Sequence, residues 1–233
     1  RGAGPLDNAE TDALIAAAQA RDLARLTNHG RLVALCRASQ IKIGEAKLTL
    51  PAGAFLQATQ RGEEAIAARV GKATEKARVV ADLFCGVGAF ALRLAQRAKV
   101  KAYDSDAAAI EALRAAAQAT QNLLPLEGIE RDLFARPLNA AELNDFDAIV
   151  FDPPRAGAPA QAAEIARSEM PMVVAVSCNA QSFARDAAIL LKGGYVIREI
   201  APLDQFRYAA HVEIVAVFER EGGRRSAKRR LLG

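Results

Sequence analysis

The sequence predicts an α/β fold: a mostly parallel sheet with helices on both faces, closed by an antiparallel hairpin and preceded by a small α+β piece. Three observations lead there. From Val79 onward, short runs rich in Val, Ile and Leu alternate with alanine-rich stretches of helical character, the rhythm of strands joined by crossover helices. The last two strand-like runs follow one another with no helix between them, which fits a hairpin. The chain has 233 residues, 52% of them hydrophobic, enough to bury one large domain or one domain with an appendage.

Taken in order, "NAETDALIAAAQAR" (Asn8 to Arg21) reads as a helix, with Asn8 or Thr11 as the expected N-cap. "LARLTNHGRLVALC" breaks at Asn28-His29-Gly30 and "IKIGEAKLTL" at Gly44-Glu45, so two hairpins are expected. Residues 1–52 thus form an α+β piece of their own. In residues 53–220 the expected strands are "ARVVADLF", "KVKAYD", "EGIERDL", "FDAIVFD", "MVVAVSC", "YVIREIAP" and "HVEIVAVFER". The expected helices are "GAFALRLAQRA", "DAAAIEALRAAAQAT", "PAQAAEIARS" and "QSFARDAAILLK". Residues 221–233 contain the basic run "RRSAKRR" (Arg224 to Arg230), either a solvated end or an RNA contact. The opening "RGAGPLD" reads as the interior of a longer chain.

The formal charge is +4, which is compatible with a polyanionic partner. Three widely spaced cysteines, Cys36, Cys85 and Cys178, favour neither a disulfide scaffold nor a CxxC metal site, so a reducing cytoplasm is expected and no metal. No apolar run approaches membrane-spanning length.

In "VVADLFCGVGAFALRLA" a strand runs into Asp82, then Gly86 and Gly88, then a helix. Glycines at this junction let a ligand approach the backbone, and a helix N-terminus carries partial positive charge. The next strand ends at Asp104, where an acid meets ribose hydroxyls in doubly wound folds. Asp132 ends a further strand, in reach of an adenine edge. Helix capping is the competing role for Asp106 and Asp132. Together these residues point to an adenosine-bearing ligand.

"AIVFDPPRAG" places Asp152 at a strand end, stiffened by Pro153 and Pro154. With Asp82 to Gly88, this "DPPR" resembles the class I S-adenosylmethionine (SAM)-dependent methyltransferases, whose sheet is Rossmann-like. Amino-group methyltransferases of that fold carry an aromatic residue after the prolines, whereas Arg155 stands here. Further motifs narrow the likeness: "GAFLQATQRGEEAI", "DLFCGVGAF", "FDPPRAG", "SCNAQSFARD" and "PLDQFRYAAHVEIVAVF". Over about Leu48 to Phe218 the chain is similar to the RNA uracil-C5 methyltransferases, which make 5-methyluridine. The resemblance implies Cys178 of "SCN" as nucleophile and Glu213 of "HVE" as general base. It also implies Asp152 and Phe55 at the substrate, and Gln57 with Asp82, Gly86, Gly88, Asp104 and Asp132 at the cofactor. It departs from the family in "FRYAAHVE", where Arg207, Tyr208, Ala209 and Ala210 replace the usual Pro and Thr pattern. The family's N-terminal oligonucleotide-binding barrel and iron–sulfur cysteine cluster are not expected within these residues, since Cys36 stands alone.

Such a set has a chemical rationale. Uracil C5 becomes nucleophilic only after a thiolate adds to C6, and the C5 proton must afterwards be removed. The reaction therefore needs a thiolate, a base, and a donor to the developing oxyanion. Taken alone, Cys178 reads as core filler, Cys36 as strand packing, Cys85 as a small loop residue, His29 as a turn residue and His211 as an orienting hydrogen-bond partner or a catalyst. The "DPPR" and "HVE" motifs reverse that reading for Cys178. The expected protein is a monomer acting on RNA, with ribosomal favoured over transfer RNA. RNA cytosine-C5 methylation and a non-catalytic SAM- or RNA-binding module are the alternatives.

Overall fold

The computed structural model describes residues 4–205 and 212–221. The basic run, His211 and the segment from Arg207 to Ala210 lie outside the described residues.

Helix α1 (Asn8–Ala20) is capped by Asp7, neither Asn8 nor Thr11. The Asp7 carboxylate accepts the Glu10 N–H at 2.8 Å and the Glu10 carboxylate accepts the Asp7 N–H at 3.0 Å. This reciprocal box satisfies two otherwise orphaned donors, which decides the start. Strands β1 (Arg25–Asn28) and β2 (Arg31–Leu35) pair antiparallel. His29 and Gly30 between them have φ of 48° and 80°, as a type I′ hairpin turn requires. Strands β3 (Gln40–Ile43) and β4 (Ala46–Thr49) form the second expected hairpin. Cys36, expected in packing, is exposed just past the end of β2.

Helix α2 (Gln60–Ala73) has no counterpart in the sequence expectations. It buries only Ile66, Ala67 and Val70, a stripe too narrow to announce itself in the sequence. Beyond it come β5 (Val79–Leu83), α3 (Ala91–Leu94), β6 (Lys99–Asp104), α4 (Ala107–Ala119), β7 (Leu126–Glu130), α5 (Ala140–Leu143) and β8 (Ala148–Phe151). The chain then forms α6 (Pro159–Arg167), β9 (Met172–Ser177), α7 (Ala180–Lys192), β10 (Tyr195–Leu203) and β11 (Glu213–Arg220). Helix α3 is shorter than expected because the Leu124 N–H takes the Ala95 carbonyl at 2.7 Å, and Arg97 turns to the Gly71 and Thr74 carbonyls. Strand β7 stops at Glu130, and Asp132 opens the turn that follows.

The seven-stranded sheet runs β10-β11-β9-β8-β5-β6-β7, with β11 antiparallel to both neighbours and the other pairs parallel. Its central strands β5, β8 and β9 are buried on both faces, as strands covered on two sides must be, while β6, β7 and β10 expose charged residues. One face packs Leu48, Ile66, Leu92, Ile110 and Leu113, so the second hairpin shares a core with α2 to α4. The other packs Ile165, Leu190, Met170 and Phe218 under α6 and α7. Each fully buried Leu or Ile contributes roughly 1.5–3 kcal/mol. Asp147 joins the two middle strands at their starts, accepting the Arg78 and Val79 N–H groups at 2.9 and 3.0 Å. The order reverses between β5 and β8, and the carboxyl ends of β5, β6, β8 and β9 meet the beginning of β11 along one edge. Crevices at that reversal are where doubly wound sheets take ligands.

Candidate active site

Past β5 the chain makes a tight loop in which Phe84, Gly86 and Gly88 have φ of 64°, 52° and 87°. A side chain pays for the left-handed region, so Phe84 is held there by packing, its ring 5.3 Å from Phe134 and 6.1 Å from Phe151. The two glycines differ in purpose. A Cβ on Gly88 would lie 2.4 Å from Leu113 Cδ1, so this glycine allows the loop to approach α4. A Cβ on Gly86 would meet nothing within 4 Å, so this backbone faces open space. Asp104, at the end of β6, accepts the Gly86 N–H at 2.8 Å and the Asp106 N–H at 2.9 Å, fixing the loop. Asp106 caps α4. Asp132 accepts the Phe134 and Ala135 N–H groups at 2.8 and 3.1 Å through Oδ1, a turn-capping role that leaves Oδ2 out of those bonds.

Asp82 lies fully buried beneath this loop, and neither carboxyl oxygen has a hydrogen-bond partner among the described residues. Burial, then the nearby Asp152 and Asp104 carboxyls, push its pKa up to about 8, against a pull from the Ala91 N–H. A buried carboxyl that feels only the Ala91 N–H, with no close hydrogen bond to either oxygen, has the character of a site for a cationic group.

Asp152 follows β8, its N–H donating to the Leu83 carbonyl at 3.2 Å. Burial, then Glu213, raise its carboxyl to about 7. Cys178 stands just past β9, half-buried. Its neighbours explain the motif: Ser177 Oγ accepts the Asn179 N–H at 3.2 Å, and Asn179 caps α7 by accepting from Gln181 and Ser182 at 2.9 and 3.1 Å. Ser177 and Asn179 thus build the turn that presents the thiol. Ser177 pairs with Ile214 in the β9–β11 register, so one step further Cys178 stands across from Glu213. Glu213 is buried, so it is no exposed strand residue. Burial and then Glu213 push the Cys178 thiol up, a hydrogen bond and the charge of Arg155 pull it down, and Asp152 adds a smaller push upward. These four side chains therefore occupy one site. Cys85, by contrast, is buried and raised by burial, Asp82 and Asp104, which makes it an inert wall.

Phe55 and Gln57 lie in the segment before α2. Phe55 is 78% exposed, and Gln57 accepts a hydrogen bond from Gln205 Nε2 at 3.1 Å. Sequence reasoning gave Arg155 no role; its place three residues after Asp152 on a proline-stiffened turn was the available signal. Gln205 was missed as well.

The sequence model of the tRNA (uracil-5-)-methyltransferase family matches residues 49–221. The chain belongs to this family. It is 49% identical to an uncharacterised RNA methyltransferase of Brucella melitensis, over 93% of this chain and 52% of that protein. It is 37% identical to the 23S rRNA (uracil(1939)-C(5))-methyltransferase RlmD of Pseudomonas fluorescens, over 72% of this chain and 38% of that one. The chain spans about half the length of the curated relatives it matches. Among solved structures, the tRNA (uracil-54, C5)-methyltransferase of Pyrococcus abyssi, in complex with S-adenosyl-L-homocysteine, superposes with a TM-score of 0.68 at 29% identity. That match covers 79% of this chain and 45% of that one. TYW2 of M. jannaschii, in complex with AdoMet, shares the Rossmann-like fold at a TM-score of 0.53 and 18% identity. The ends of β5, β8 and β9, which carry "DLFCGVGAF", "FDPPRAG" and "SCNAQSFARD", fall on one sheet edge. No helix among the described residues is long and apolar enough to cross a membrane.

Proposed function

We propose that this chain is the methyl-transferring part of an enzyme that forms 5-methyluridine in RNA, with Cys178 as nucleophile and Glu213 as base. The observation that carries this reading is the facing of Cys178 and Glu213 across β9 and β11, with Asp152 and Arg155 at the same site. SAM, when bound, supplies a methyl group on a sulfonium. The residues fit it: the open backbone at Gly86 gives room, Asp104 at the end of β6 stands for the ribose, Asp132 in the turn past β7 for the adenine, and buried Asp82 for a cationic amino group.

The chain's own groups then divide the work. Arg155 favours the Cys178 thiolate, whose sulfur forms a bond to uracil C6 while the C5–C6 π pair moves toward O4. Asp152, poised near neutrality, accepts from N3–H when ionised or donates to O4 when protonated, which holds the developing enolate. The enolate pair returns through C5 to the methyl carbon, whose bond to the donor's sulfur would break and leave its pair on that sulfur. Glu213 removes the C5 proton, the pair re-forms C5–C6, and the sulfur–C6 bond breaks to release the thiolate. A uridine in folded RNA must leave its stack to reach this edge. We favour ribosomal over transfer RNA, supported by the greater identity to the RlmD relative than to the archaeal tRNA enzyme.

RNA containing 5-fluorouracil, incubated with SAM and the full-length protein, should form a covalent complex that survives denaturing electrophoresis. Cys178→Ala should abolish it; persistence of the adduct would remove the nucleophile assignment. On ordinary RNA, Glu213→Gln should accumulate adduct with little release, and undiminished turnover would remove the base.

A further inference from the structure

The reaction drawn above needs a hydrogen-bond donor whose direction is certain, and a side-chain amide can present either of its ends. Gln57 is such an amide. The hydrogen bonds around it select one end. They begin at a backbone group that can only donate: the Gly62 N–H, on the first turn of α2, gives its hydrogen to Thr59 Oγ1 at 3.0 Å. The Thr59 hydroxyl passes its own hydrogen on to Gln205 Oε1 at 3.4 Å. With its oxygen engaged as acceptor, Gln205 offers Nε2, which donates to Gln57 Oε1 at 3.1 Å. The carbonyl end of Gln57 is thereby occupied, and its NH₂ end remains to be given away.

Gln205 is also held by shape. A Cβ at Gly62 would lie 2.1 Å from Gln205 Oε1 and 2.3 Å from its Cδ, so only glycine lets the Gln205 amide lie flat on the helix backbone. Glycine is a poor residue inside a helix, and this contact accounts for its presence. The relay also ties two separate stretches together. Gln205 stands in the connection from β10 to β11, which leads directly into Glu213, whereas Gln57 and Thr59 precede α2.

We propose that Gln205 is a positioning residue that fixes the polarity of the Gln57 amide, so that Gln57 meets its ligand as a donor to a carbonyl or carboxylate oxygen. This rests on the methyltransferase reading. Two sources offer that oxygen, the pyrimidine ring and the amino-acid end of the methyl donor.

The relay makes an ordered prediction for full-length protein acting on undermodified RNA from cells lacking the gene. Gln205→Glu keeps size but cannot donate, so it turns Gln57 around; kcat/KM should fall about tenfold or more, further than in Gln205→Ala. Gly62→Ala, which alters no polar group, should displace Gln205 and reproduce the Gln205→Ala loss. Added to Gln205→Ala, it should cost nothing more, because the clash is gone. If SAM affinity by calorimetry falls in step, the acceptor is the donor's carboxylate; if it holds while the RNA step falls, the acceptor is the ring carbonyl. Equal activity of Gln205→Glu and wild type, or additive losses in the double variant, would overturn the proposal. Melting temperatures test the contact without activity: Gly62→Ala should raise Tm in the Gln205→Ala background and not in wild type, and an equal rise in both would overturn it. A wild type that transfers no methyl to uridine would instead sink the function reading.

Discussion

At the scale of single residues, Cys178 is the point where opposed influences meet. Burial and the Glu213 carboxylate favour its thiol, while the Arg155 guanidinium favours the thiolate. Removing each neighbour should therefore move the thiol in opposite senses. Alkylation by iodoacetamide near pH 8 should slow by a factor of about 3 to 10 in Arg155→Ala and quicken in Glu213→Gln, with Cys178→Ala as the blank. Equal rates in wild type, Arg155→Ala and Glu213→Gln would mean that these charges do not reach the sulfur. Asp82 makes a second prediction. Its carboxyl is ionised above about 3.9 in the unfolded chain but holds its proton to about 8 when folded. Between those values the unfolded state binds fewer protons, so this group lowers stability as pH rises and levels off above about 8. Asp82→Asn removes the effect. Its Tm relative to wild type should be higher at pH 8 than at pH 5, and a difference independent of pH would contradict the assignment.

At the scale of elements, the loop between β5 and α3 depends on close approach. Gly88→Ala would place a methyl group 2.4 Å from Leu113 Cδ1 at a φ of 87°, so both overpacking and backbone strain apply. A loss of about 1–3 kcal/mol is expected in urea unfolding, whereas a near-neutral change would show that α4 shifts freely. The caps were only partly readable beforehand. Asp106 as the α4 cap follows from its place before an alanine run, but the choice of Asp7 over Asn8 depended on Glu10 reaching back. The end of α3 was set by Leu124, some thirty residues on, and no local pattern encodes that.

For the whole molecule, alternation of strands and helices pointed to the parallel sheet and the closing hairpin, while the reversal between β5 and β8 is seen only in the folded chain. Motif order placed Asp82, Asp104, Asp152 and Cys178 at strand ends, since a parallel sheet brings every such end to one edge. A net charge of +4 on a chain proposed to hold RNA carries its own consequence. The KM for RNA should rise at least about tenfold between about 50 and about 200 mM salt while SAM affinity changes little. Insensitivity to salt would argue against phosphate contacts as a main source of RNA affinity.

By itself the sequence determined which residue types stand at the ends of which strands, because hydrophobic period and glycine punctuation are local properties. It also supplied the thiol and the acid as a pair, through motifs far apart in the chain. Only the tertiary structure decided what each group feels. The step from Ser177–Ile214 to Cys178–Glu213 is a matter of strand register, the missing partners of Asp82 a matter of enclosure, and the Gly62–Thr59–Gln205–Gln57 relay joins segments nearly 150 residues apart. Charge, burial and hydrogen-bond direction act through space, so they exist only once distant parts of the chain have been brought together.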